Sequence, residues 1–219
     1  MTSTKAIMGG SIYKTALTSV NISNWNTNNA TNMSKMFYNC AKLTTINLSN
    51  CILANNCSYM FDTCIGLTTI DLSDTDTSNV TDMSYMFEEC ASLKKADFSN
   101  TNTIELKTME MMFTSCYSLK TVNFNKFRTD KVENMSGMFN GCISLSSLDL
   151  TSFRTFNVTD MSKMFVGCSD LTLLNLSSFN TSNVVDMSRM FIGCSSLSSL
   201  DLSSFNTPNT KKMSQMFAD

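Results

Sequence analysis

Between Cys142 and Cys168 the chain changes its hydrophobic rhythm once. The first half reads Leu145-x-x-Leu148-x-Leu150, with polar Ser147, Asp149 and Thr151 between and beyond. That period-two alternation predicts a short strand with one buried face. Phe153 follows after a one-residue shift of phase. In the second half Val158, Met161, Met164, Phe165 and Cys168 fall at steps of three and four, the spacing of one side of a helix. Thr159 and Asp160 would supply an N-cap oxygen and a carboxylate at the positive end of the helix dipole, and Gly167 a stop. The predicted helix is only about two to three turns long and would not hold alone in water.

The same slots refill along the chain. The dipeptide Met-Phe recurs at 36–37, 60–61, 86–87, 112–113, 138–139, 164–165, 190–191 and 216–217, with a first step of 24 residues and steps of 26 thereafter. Strand triplets run from Leu17/Val20/Ile22 and Leu43/Ile46/Leu48 to Leu171/Leu174/Leu176 and Leu197/Leu200/Leu202. The residue after each strand is Trp25, Cys51, Thr75, Thr101, Phe127, Phe153, Phe179 and Phe205 in turn. Of the 18 methionines all but Met1, Met8 and Met111 occupy the two helix slots, where phasing with Phe and Cys reads as core. A fixed period of this length is the signature of a solenoid whose units pack only on their neighbours. Residues 14–219 therefore read as one α/β solenoid with parallel strands on one face and short helices on the other. Helices are about 10 Å across and strands stack about 4.8 Å apart, which predicts curvature with the sheet inside. Residues 1–13 read as a partial cap or tail, using Ile7, Ile12 and Tyr13. The array ends at Met216–Asp219 inside a predicted helix, as expected of a piece of a longer array.

Composition narrows the function. The 219 residues carry a net charge of −2, which gives no basic field for nucleic acid. The absence of histidine removes His-based acid–base catalysis, Ser-His and Cys-His pairs, and His-containing zinc sites. No run of 18 apolar residues would span a membrane, and MTSTKAIMGG lacks the apolar stretch of a secretory signal. Seven of the nine cysteines share one slot: Cys40, Cys64, Cys90, Cys116, Cys142, Cys168 and Cys194. One per coil, without Cys-x-x-Cys, is not zinc spacing, so buried free thiols are expected. Cys51 and Cys57 sit in the shortened coil as core fillers, although a bridge between them is geometrically conceivable.

The outward strand positions offer the candidate surface. They are Thr45 and Asn47, Thr69 and Asp71, Lys95 and Asp97, Thr121 and Asn123, Ser147 and Asp149, Leu173 and Asn175, and Ser199 and Asp201. The resulting column of Asn and Asp reads either as a hydrogen-bonding face for a partner or as a solvated ladder that satisfies itself. Adjacent coils seldom offer two carboxylates together, so neither metal nor cofactor is expected there.

The unit Cys-x-x-Leu-x-x-Leu-Asp-Leu-Ser-Ser-Phe-Asn-Thr-x-Asn-Val-x-Asp-Met-Ser-x-Met-Phe-x-Gly is carried almost intact by residues 142–167 and 168–193. It resembles the 26-residue repeat of BspA-like leucine-rich-repeat surface proteins, over about residues 14–219. It departs from ordinary leucine-rich repeats in placing Phe153, Phe179 and Phe205 where those carry Asn or Cys. The resemblance implies a right-handed leucine-rich-repeat-like coil of about eight repeats and an exported, non-enzymatic protein at the cell surface or secreted. It also implies adhesion to a protein or glycan on a host or neighbouring cell, through the sheet face. The alternative expectation is a structural array that self-associates through exposed end coils into fibres or a surface layer.

Overall fold

Leu, Ile, Val and Ala at the middle of each predicted strand point inward, and the strands form where the alternation places them. The computed structural model describes residues 16–25 and 27–218. The cap expected from Ile7, Ile12 and Tyr13 lies outside those residues. Seven three-residue strands follow one another: β1 (Ser19–Asn21), β2 (Thr45–Asn47), β3 (Thr69–Asp71), β4 (Lys95–Asp97), β5 (Thr121–Asn123), β6 (Ser147–Asp149) and β7 (Leu173–Asn175). Pairing is parallel and in register, slot on slot, as in Ser147 opposite Leu173 and Asp149 opposite Asn175. The row divides into β1–β2, β3–β4–β5 and β6–β7. The eighth slot, Leu197/Leu200/Leu202, forms no strand.

The predicted helices are not there. Among the described residues no helix forms, and the segments expected to be helical are runs of turns. Residues 135–142 show the cause in their N–H groups. Those of Met135, Gly137, Phe139 and Gly141 donate to Asp160, Ser162, Met164 and Val166 of the next coil, at 2.7–3.0 Å. Those of Met138, Asn140 and Cys142 reach back three residues to Met135, Gly137 and Phe139. Ser136 N–H donates to Asn134 Oδ1 at 2.8 Å. Gly137 and Gly141 take positive φ, 59° and 76°, which reverses the chain before a second helical turn can begin. Side chains at 135, 138, 139 and 142 still point inward together, so successive turns imitate the three-and-four spacing of a helix.

Spacing explains why turns win. A helix bonds only to itself and would hold neighbouring coils about 10 Å apart, while the strand row sets about 4.8 Å. In the turn wall the rings of Phe37, Phe61, Phe87, Phe113 and Phe139 stack with centroids 5.4–5.7 Å apart. The wall thus keeps step with the strands, and the width difference behind the expected curvature is absent. A ladder of parallel bridges runs along this wall through Asn32, Asn56, Asp82, Thr108, Asn134, Asp160, Asp186 and Lys212. The chain is a parallel β-solenoid with turns in place of the helical face.

The Leu, Met, Phe and Cys columns meet in one core. Trp25, in the post-strand slot where Phe127 and Phe153 are buried, is 43% exposed. All nine cysteines are free, Cys51 and Cys57 included. From Cys64 to Cys194 each thiol of the column donates to a Phe carbonyl of the preceding coil, as Cys90 to Phe61 and Cys116 to Phe87, both at 3.1 Å. Burial, foremost, pushes these thiols far above their ordinary pKa, and Cys57 is pushed up to about 12.

Candidate functional site

The predicted face is where the strands put it. Thr45, Asn47, Thr69, Asp71, Lys95, Thr121, Asn123, Ser147, Asp149, Asn175, Ser199 and Asp201 are exposed, and Asp97 is half-buried. The side-chain oxygens of its Asn and Asp column are engaged by their own backbone. Asn47 Oδ1 accepts from Ser49 N–H, Asp71 from Ser73, Asp97 from Ser99, Asn123 from Asn125, Asp149 from Thr151, Asn175 from Ser177 and Asp201 from Ser203, all at 2.8–3.1 Å. These Asx turns end each strand after three residues. Backbone and hydroxyl donation from Thr151 holds Asp149 below the usual carboxylate range. Burial acts to raise Asp97, but donation from Ser99 and Asn123 and the charge of Lys95 outweigh it and leave the group lowered. The other exposed column of the face is Thr45, Thr69, Lys95, Thr121, Ser147, Leu173 and Ser199. Leu173 is 69% exposed there, beside a cleft of about 340 Å³ lined by Ser147, Asp149, Thr151 and Asn175.

Two other surfaces carry chemistry that sequence reading missed. An open groove of about 620 Å³ crosses five coils of the turn side, lined by Lys107, Lys131, Glu133, Asn157, Thr159, Asn183, Val185, Asn209 and Lys211. Its columns recur every 26 residues, a signal that was legible had every slot been followed rather than the strand slots alone. The second surface lies at the tyrosines. Tyr59 and Tyr85 stack at 4.5 Å, Lys35 lies 4.9 Å over Tyr59, and Tyr85 donates to Glu110 at 2.7 Å. Beside them burial pushes Asp62 up to about 6, against a hydrogen bond from Thr63. Burial, then the charges of Asp62 and Glu89, push Glu88 up to about 7. Among the described residues no three His, Cys, Asp or Glu side chains converge as metal ligands.

A third device also went unread. Buried Thr103, Thr129, Thr155 and Thr181 each donate through Oγ1 to the carbonyl of the residue 25 positions on and accept that residue's N–H. In the case of Thr129 the partner is Arg154, at 2.8 and 2.7 Å. A threonine ladder therefore does here what an asparagine ladder does in ordinary leucine-rich repeats. The recurring Phe-x-Thr of Phe127–Thr129 and Phe153–Thr155 was its signal.

A family profile described as "Mycoplasma protein of unknown function, DUF285" matches residues 6–65, 55–148 and 142–219, nearly the whole chain. The chain belongs to the DUF285 family. No curated protein sequence matches it. Among solved structures it is similar to a leucine rich cell surface protein from Faecalibacterium prausnitzii, at 19% identity and TM-score 0.41, over 86% of this chain and 61% of that one. The DUF285 chain thus spans less than two thirds of that protein. An internalin from Listeria monocytogenes matches at 14% identity and TM-score 0.30, over 81% of this chain and 63% of the other. A leucine-rich repeat protein from Bacteroides ovatus matches at 18% identity and TM-score 0.27, over 90% and 74%.

Proposed function

We propose that this DUF285 chain is a non-enzymatic interaction module of a BspA-like surface protein, displayed outside the cell to hold a protein or glycan on a host or neighbouring cell. The observation that carries the reading is the division of labour on the strand face. The Asn and Asp column holds the coil in shape, while Thr45, Thr69, Lys95, Thr121, Ser147, Leu173 and Ser199 stand exposed in one slot of successive coils. Extended faces of this kind are what solenoids use for binding. An exposed leucine among hydroxyls supplies the apolar contact that adhesion needs alongside hydrogen bonds. Absence of histidine leaves the row without an ordinary proton-transfer group at neutral pH.

The test is adhesion of chain-coated beads to cultured epithelial cells. The comparison variant combines Thr69→Glu, Thr121→Glu and Leu173→Glu, all exposed positions that leave the Asx turns untouched. Retained solenoid circular dichroism with lost adhesion is the expected result. Adhesion equal to the parent chain would overturn the sheet face as the contact.

A further inference from the structure

The corner between strand row and turn wall changes character at one place. Asn24, Asn50 and Asn100 hold the slot two residues after the strand's last inward side chain, with φ of 59–65°. Lys126 holds that slot at φ 67°, a left-handed conformation that asparagine tolerates and lysine disfavours. Two residues further on, Arg128 and Arg154 occupy one slot of successive coils, their backbones anchored to Thr103 and Thr129. The three cations line an open cavity of about 500 Å³ with Asp130 and Ser152. Asp130 is already engaged: Arg128 Nε donates to it at 2.9 Å. That hydrogen bond, foremost, holds its carboxyl below the usual range. Lys126 Nζ donates only to a neutral amide, Asn100 Oδ1 at 3.1 Å. Among the described residues no carboxylate lies within ion-pairing distance of Arg154, which acts on Asp130 through its charge alone.

We propose that this corner binds a phosphate monoester, held by Lys126, Arg128 and Arg154. The occupant follows from the charge balance. Three cations against one carboxylate leave two positive charges without a partner. A phosphate monoester brings about −1.5 to −2 at neutral pH, on three acceptor oxygens. A sulfate ester or a carboxylate brings a single negative charge and leaves half of the excess unbalanced. Guanidinium groups match phosphate oxygens with pairs of parallel N–H donors, and a lysine ammonium adds a point charge. The cavity volume falls in the range of small-molecule sites, so there is room for the sugar or side chain that carries the ester. Thr69, Thr121 and Leu173 of the strand face line no part of it, and each site can fail without the other.

Isothermal titration calorimetry at low salt tests it. The probes are glucose 6-phosphate and a neutral peptide with one phosphoserine as esters, inorganic phosphate as the free ion, and glucose 6-sulfate and acetate as singly charged anions. At least one ester should bind about tenfold or more tighter than glucose 6-sulfate and acetate. A preference between the two esters assigns the source to sugar or protein, and equal binding leaves the phosphate itself as the recognised group. The variant carrying Arg128→Gln and Arg154→Gln should lose about tenfold or more in affinity. Lys126→Asn, which restores the residue of the earlier coils, should lose about threefold and melt no lower than the parent chain. Lys94 and Lys120 are also exposed and one coil apart but line no part of the cavity. Lys94→Gln with Lys120→Gln should therefore leave affinity unaltered. Silence of both esters, inorganic phosphate bound alone, singly charged anions bound as tightly, indifference to the arginine pair, or equal loss through the lysine pair would overturn the proposal.

Discussion

The strand row and the turn wall stack the same coils, yet they differ in continuity. The row of strands breaks between β2 and β3, across the 24-residue coil, and again between β5 and β6. The bridges of the turn wall run from Asn32 to Lys212 without a gap. Half-buried Ile46 and Val122 fill the strand centres at β2 and β5, while the wall stacks fully buried Phe and Met. The region that looks regular in sequence is therefore the weaker spine. Inter-coil hydrogen bonds from every second N–H, over a stacked aromatic column, hold the array together.

The largest effect that could break this comparison is truncation of the aromatic column. Phe113 lies between Phe87 and Phe139 and meets Phe98 edge-on. Phe113→Ala should cost about 3–5 kcal/mol in urea unfolding. Val122→Ala in the strand row should cost about 1 kcal/mol, since half of its surface gain is already absent. Equal losses would mean that the two walls share the load.

A smaller contrast uses one motif in both walls. Asp160 Oδ1 holds Ser162 N–H in the turn wall at 2.8 Å, and Asp149 holds Thr151 N–H in the strand row at 2.9 Å. Asp160→Ala should cost about 1 kcal/mol by the same chemistry as a lost N-cap. Asp149→Ala, at a more exposed site, should cost a few tenths in matched melts.

How much of this was legible follows from what each pattern specifies. Leu145, Leu148 and Leu150 gave the strand slots because alternation with a period of two has one common physical cause. Met161, Met164, Phe165 and Cys168 named the correct inward side chains and the wrong backbone, because consecutive three-residue turns place side chains as a helix does. The positive-φ slot held the discriminating signal. Gly137, Gly141, Gly167 and Gly193 recur in the second half of the chain, but Tyr85, Glu89, Met111 and Ser115 fill the equivalent slots earlier and mask it. The Asn and Asp column was legible as a column and equally compatible with a partner or with self-satisfaction; only the positions of Ser49, Ser73 and Thr151 N–H decide. The groove of Asn157, Asn183 and Asn209 was unread because its residues lie between the elements that periodicity marks.

That same slot yields a gain in stability. Ser115 holds φ 60° where Gly141, Gly167 and Gly193 serve the following coils, and no hydrogen bond of its side chain is formed among the described residues. Ser115→Gly should stabilise by about 1 kcal/mol in thermal melts, the usual relief of a left-handed L-residue. No change would show that the wall absorbs the strain.

The smallest effect is pH-dependent, and near neutrality it belongs to the wall. Asp62 and Glu88 have folded pKa values raised to about 6 and about 7, foremost by burial, with the charge of Glu89 adding to both and that of Asp62 to Glu88. In that window the native state binds more protons than the unfolded one, so stability falls as pH rises through 5 to 7. Melting temperature should therefore increase modestly on acidification from about pH 8 to 5. Below about pH 4 the lowered Asp149 and Asp186 reverse the trend as they protonate. Glu88→Gln should flatten the rise, and an unaltered profile would remove these carboxyls from the account.

Far-ultraviolet circular dichroism of the folded chain addresses the central claim most directly, because a helical wall and a turn wall differ there more than anywhere else. A single β-type minimum, without the paired minima of α-helix, is the predicted spectrum. Paired helical minima that melt together with the fold would contradict a solenoid whose second wall is built from turns in step with its strands.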